Sequence, residues 1–282
     1  MSKPSLAAPV PEALFLPGNH GNLFALYQPA MGTIKGTFLY IPPFAEEMNR
    51  CRATVSRQTR EFAKIGYSTL VLDLFGTGDS EGELSDASWN IWQNDIEIAV
   101  SWLEEKTHLP VSIWGFRLGA LLAADFANRS PKRVNKLLFW QPVLEGKLFL
   151  TQYLRFRVAF LMDRNMPPET TKEIREQLVS GDIVEVAGYP LSGALTNGMD
   201  GNKISSYTQL TNQNISWFER VADAEKPLSP PSVRLIKQLQ DLGCKVNAQK
   251  FSDPQVWQLH DKDETPNLIA ATTQLFRDQD EN

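Results

Sequence analysis

Short apolar runs alternate along this chain with longer segments whose apolar residues recur at helical spacing, and that alternation predicts most of the architecture. Residues 13–16 and 23–27 are apolar and flank Pro17-Gly18-Asn19-His20-Gly21-Asn22, turn formers that predict a hairpin. GTFLYI, 36–41, reads as a buried strand stopped by Pro42 and Pro43, which cannot donate to a ladder. A helix is expected over 46–65 through Met48, Val55, Phe62 and Ile65, with Gly66 as its stop. Strands at 68–72, 111–114 and 137–140 alternate with helices at 89–105 and 115–128. Parallel strands need crossovers of this kind, so the class is α/β: a mostly parallel central sheet flanked by helices.

The alternation breaks between 144 and 206, where two helical segments and the glycine-rich GYPLSGALTNGMDG replace it; it resumes with 215–221, 232–242, 245–251 and 267–277. This predicts a core of 11–143 and 207–282, an inserted helical cap at 144–206, and a flexible leader at 1–10. Residues 148–162, the most apolar long stretch, are too short to span a bilayer and contain Arg155 and Arg157. They read as a cap helix, with a position in the membrane interface as the lesser alternative.

With 282 residues, 42% hydrophobic and 22% charged, the chain can bury a large core. Its 28 basic and 33 acidic residues leave a net −5 without a basic cluster, which speaks against nucleic acid as a partner. The two cysteines, Cys51 and Cys244, have neither disulfide nor zinc-ligand spacing, so no metal is expected, and the tryptophans at 89, 92, 102, 114 and 140 read as core or cleft lining, so no cofactor is expected either. A reducing, cytoplasmic setting fits them and the Ala/Pro-rich start, which does not have the form of a signal peptide.

The chemistry concentrates at 111–122, VSIWGFRLGALL, an apolar strand running into a glycine-flanked turn and a helix. That is the context of the nucleophile elbow of an α/β-hydrolase, with Arg117 where such a turn carries serine. A literal GxSxG does occur at Gly78–Gly82, but Ser80 lies in a loop several residues beyond its strand and reads as a decoy. Asp73-x-x-Gly76-x-Gly78-x-Ser80-x-Gly82 looks instead like a structural loop common after a central strand of that fold.

The combination of PPFAEEMN at 42–49, WGFRLGAL at 114–121 and WQPV at 140–143 is specific. With KLFLTQYLR at 147–155, Trp257 and PNLIAAT at 266–272, it resembles the exosortase-A-system-associated hydrolase 2 family over most of the chain. The resemblance implies an α/β-hydrolase-like protein of bacteria that make extracellular polysaccharide, nominally acting on an ester or acyl thioester.

Arginine stays protonated and has no lone pair with which to attack, so covalent acyl transfer through position 117 is excluded. Two roles remain open for it. It could hold a carboxylate, phosphate or sulfate of an acyl or saccharide ligand, with Phe44, Leu118, Glu46 and Glu47 around it. Alternatively, Glu46, Glu47, Asp223, Glu225 or Asp253 could pair with it internally. Of three histidines, His20 lies in the hairpin turn and His108 precedes a strand at the far end of the sheet. His260 follows the last strand, where the fold's base is expected, with Asp223 or Glu225 as its acid. The backbone amides of Phe44 and Leu118 match the oxyanion hole. Cys51 is a further candidate nucleophile, without a histidine near it in sequence.

Overall fold

The computed structural model describes residues 9–223, 225–258 and 264–278. Strands β1 (Glu12–Pro17) and β2 (Asn22–Gln28) form the expected antiparallel hairpin, and β2 continues antiparallel onto β4 (Tyr67–Leu72). From β4 the sheet is parallel through β3 (Gly36–Ile41), β5 (Val111–Phe116), β6 (Leu137–Trp140), β9 (Asn214–Arg220) and β10 (Lys245–Phe251). The eight strands lie in the order β1-β2-β4-β3-β5-β6-β9-β10, which leaves β10 at one edge. This is the α/β-hydrolase fold expected from the strand and helix pattern.

Strand side chains alternate between two cores because successive residues point to opposite faces. Leu39, Ile41, Leu70, Leu72, Ile113 and Phe139 face one core, shared with helices α2 (Trp89–Thr107) and α3 (Leu118–Arg129). Phe38, Tyr40, Trp114, Phe116 and Trp140 face the other, filled by α1 (Glu46–Lys64) and α8 (Pro266–Asp278). Burial on both sides is why the central strands read as continuous apolar runs.

One boundary differs from expectation. The strand predicted to end at Trp114 continues through Gly115 and Phe116, which pair with Phe139 and Trp140, and the helix expected from Gly115 begins only at Leu118. Ladder hydrogen bonding to β6 overrides the helix-like composition of this stretch.

Between β6 and β9 the chain forms α4 (Gly146–Asp163), α5 (Thr171–Ser180), the hairpin of β7 (Val184–Val186) with β8 (Tyr189–Leu191), and α6 (Gly193–Asp200). A capping box starts α5: Thr170 Oγ1 accepts from the Glu173 amide, and Glu173 Oε2 accepts from the Thr170 amide. The glycine-rich stretch thus contains one strand of a small sheet and a short helix, which its turn formers did not announce. Helix α7 (Pro230–Asp241) follows β9 and is capped by Ser229. No helix among the described residues is long and apolar enough to cross a membrane.

Candidate functional site

The chain bends sharply between β5 and α3, and Arg117 occupies the bend with φ 55° and ψ −117°. Such backbone is strained for a residue with a Cβ and persists only when its surroundings over-determine it. Here the Arg117 amide donates to the Trp140 carbonyl at 3.0 Å, while its carbonyl accepts from the Ala120 and Val143 amides, each at 3.1 Å. The flanking glycines make room. A Cβ on Gly119 would lie 2.2 Å from the Ile41 carbonyl oxygen, and one on Gly115 would lie 2.5 Å from Ala120 Cα. The start of α3 is therefore pressed against the loop after β3, which carries Phe44 and a second strained residue, Ala45, at φ 53° and ψ −127°.

The Arg117 guanidinium meets Glu47, from the first turn of α1. Its Nε donates to both Glu47 oxygens at 3.3 Å and its Nη2 donates to Oε1 at 3.1 Å. The guanidinium carbon also lies 5.4 Å from the Trp257 ring centroid and 5.9 Å from that of Phe149. Both side chains of the pair are mostly buried, 15% and 17% exposed. Burial pushes the Glu47 carboxyl above its usual range, and the neighbouring arginine only partly offsets this.

Of the five acids considered as internal partners, the structure brings Glu47 to Arg117. Glu46 is turned away, accepting from the Tyr189 hydroxyl at 3.1 Å and from Arg50 at 3.4 Å. Asp253 accepts the Asn267 and Leu268 amides and so holds the start of α8. Asp223 and Glu225 lie exposed in the turn after β9, where the Glu225 amide donates to Asp223 Oδ1. His260 lies outside the described residues. His20 is exposed in its hairpin turn, and His108 caps the far end of α2.

Ser80 is fully occupied: its Oγ donates to the Asp73 carbonyl at 2.6 Å and accepts the Phe24 amide at 2.8 Å, tying β2 to the end of β4. Asp73 itself accepts from the Asp79 amide and from Arg52. Cys51 is buried, and burial raises its thiol well above the ordinary value, which suppresses the thiolate needed for attack.

Beside Arg117 opens a cleft of about 780 Å³ at the carboxyl ends of β6 and β9, roofed by Leu148, Phe149 and Gln152 of α4 and bounded by the start of α7. Lys203, Arg220 and Arg234 join Arg117 on its walls, against Glu145 and Glu219. Both acids are engaged internally: Glu145 pairs with Lys203 at 3.3 Å, and Glu219 accepts from Trp217 Nε1 and the Ser229 amide. Arg220 is oriented by the Asp253 carbonyl, to which its Nε donates at 2.7 Å. The sequence reading missed these three cations. Arg220 could have been found from its place at a strand's carboxyl end, but nothing in the spacing marks Lys203 or Arg234.

Residues 34–214, more than half of the chain, match the family model described as Hydrolase_4, serine aminopeptidase S33. The chain belongs to the Hydrolase_4 family. Among curated relatives of this Hydrolase_4 chain, the mitochondrial palmitoyl-protein thioesterase ABHD10 of Mus musculus is 28% identical over 137 residues, covering 48% of this chain and 40% of the relative. Its Bos taurus counterpart is 26% identical over 137 residues, covering 48% of this chain and 39% of the relative. The chain thus spans about two fifths of the length of the curated relatives it matches. Two solved structures share the fold at low identity. The ferulic acid complex of Est1E from Butyrivibrio proteoclasticus superposes with TM-score 0.69 at 14% identity, covering 96% of this chain and all of that one. A soluble variant of Saccharomyces cerevisiae monoglyceride lipase, bound to a substrate analogue, gives TM-score 0.62 at 12% identity, covering 98% and 95%.

Proposed function

We propose that this Hydrolase_4 chain binds an anionic acyl or saccharide ligand in the cleft beside Arg117, under a cap formed by 144–206, and forms no covalent acyl-enzyme. The observation that carries the reading is Arg117 itself. A permanent cation stands at the bend where this fold presents its attacking group, held on one side by Glu47 and facing the cleft on the other. Arg220 and Arg234 add positive charge within the same walls, suited to a carboxylate or phosphate, while Lys203 is balanced there by Glu145. On this reading the ligand belongs to the cytoplasm of an exopolysaccharide-producing bacterium, an assignment supported by the resemblance to exosortase-A-system-associated hydrolases and by the two unpaired cysteines.

A second reading rests on the retained bend. Gly119 still packs the start of α3 against the loop after β3, and on this reading the amides of Phe44 and Leu118 would polarise an ester or thioester carbonyl. Water, activated by His260 with Asp223 or Glu225 behind it, would then hydrolyse the bond without an acyl-enzyme. The thioesterase name of the mammalian relatives points to that substrate class.

Titration calorimetry with decanoate, an acyl phosphate and a sugar phosphate, on wild type and Arg117→Ala, tests the binding reading. Saturable binding lost in the folded variant supports it, and binding indifferent to Arg117 overturns it. Incubation with a fluorophosphonate probe should leave the protein unlabelled, since labelling of any serine would reveal an acyl-enzyme route. Slow thioester turnover abolished by His260→Ala would establish the second reading.

A further inference from the structure

Helix α4 keeps large apolar side chains in water as well as in the core, an unusual pattern for a surface helix. Its inner side buries Phe149, Leu150, Tyr153, Leu154 and Leu161. Its C-terminal half leaves Phe156 at 58%, Phe160 at 54% and Met162 at 68% exposure, Leu148 is exposed in its first turn, and Met166 follows just beyond its end. Five of the eleven large hydrophobic side chains exposed among the described residues fall between 148 and 166. Much of the exposed apolar surface is thus gathered on this helix and its C-terminal end, and such patches mark interaction sites.

The charge around this patch is opposite to that of the whole chain. Residues 146–166 carry Lys147, Arg155, Arg157 and Arg164 against the single acid Asp163, in a protein of net charge −5. Arg157 is taken up internally by Glu169 and the Glu185 carbonyl. Lys147, Arg155 and Arg164 stay on the exposed side, where the Arg164 guanidinium lies 5.5 Å from the Phe160 ring centroid. Aromatic and aliphatic side chains set among basic ones are what an interfacial helix offers to anionic headgroups and the acyl chains beneath them.

From this we infer that the exposed C-terminal half of α4 docks the protein onto the surface of an anionic bilayer, lying in the interface without crossing it. Leu148, exposed in the first turn of the same helix, also belongs to the cleft wall, beside Phe149 and Gln152. The cleft mouth therefore opens along the docked helix, so an acyl ligand could pass from the bilayer with little exposure to water. The docking itself rests on the face and not on the ligand proposed above.

Flotation of the full chain with vesicles of phosphatidylcholine alone, and of phosphatidylcholine with 30% phosphatidylglycerol, tests this. Binding should favour the anionic vesicles at least about tenfold and weaken with salt, since each basic residue near such a surface contributes roughly fivefold. The double variant F156S/F160S, at exposed positions and with unchanged melting temperature, should lose at least about tenfold in binding. R155E/R164E should remove the preference for anionic vesicles. Equal affinity for both vesicle types, or binding indifferent to either double variant, overturns the proposal. So would a concentration-dependent dimer, seen by light scattering without lipid and dispersed by F156S/F160S, which would assign the face to a second copy of the chain.

Discussion

Replacing Asp95 by asparagine should flatten the pH dependence of folding stability. Asp95 lies on α2 and is 2% exposed, and its Oδ2 accepts the Phe75 amide at 2.9 Å. Burial pushes its carboxyl from 3.8 up to about 7, with the Phe75 amide only partly opposing the rise. In the unfolded chain the group ionises near its ordinary value, so between pH 4 and 7 the folded state holds a proton that the unfolded state has lost. Stability is then fully present below pH 4 and falls as pH rises through about 7. A separation of about three units at 1.36 kcal/mol each amounts to roughly 4 kcal/mol. For a chain of this size that is about 5 to 10 °C in melting temperature. Thermal melts of wild type and Asp95→Asn at half-unit steps from pH 4 to 9 give the assay. The variant should track wild type near pH 4 and exceed it increasingly up to pH 8, because an amide keeps the acceptor for Phe75 without charge to desolvate. Curves that stay parallel across the range would refute the reasoning, since the pH term would then come from other groups.

Two further outcomes follow from the site. Arg117→Ala should cost about 1 to 3 kcal/mol in urea unfolding, less than a fully buried pair would because both partners keep some contact with water. Adding Glu47→Gln should recover part of that loss, and a strictly additive double mutant would show that the pair is not coupled. Ser80→Ala should lower stability by about 1 to 2 kcal/mol, because it leaves the Phe24 amide without its acceptor, and should leave ligand binding or any hydrolysis unchanged. Loss of turnover in a folded Ser80→Ala protein would show that the loop serine takes part in chemistry.

Much of the scaffold was legible because its strands are buried on both faces and read as uninterrupted apolar runs. β10 falls at the expected residues 245–251 even though its side chains are largely polar. The bend at Arg117 could be read from local sequence alone, since strand, glycine pair and small-residue helix are contiguous there. The two extra residues of β5 could not, because their assignment depends on hydrogen bonding to β6, more than twenty residues further along. For the same reason Glu47 could be named only as one of five acids. Pairing across seventy residues of sequence is decided by how α1 packs against the elbow, and local pattern carries no record of that. The cations of the cleft come from the β5–α3 bend, the segment after α6, β9 and α7, which converge only after folding.

The polar edge strand has a consequence for self-association. β10 presents Lys245, Asn247, Gln249 and Lys250 along the rim of the sheet, and lysine there disfavours register with another chain's backbone. At high concentration that margin should resist growth into intermolecular sheets.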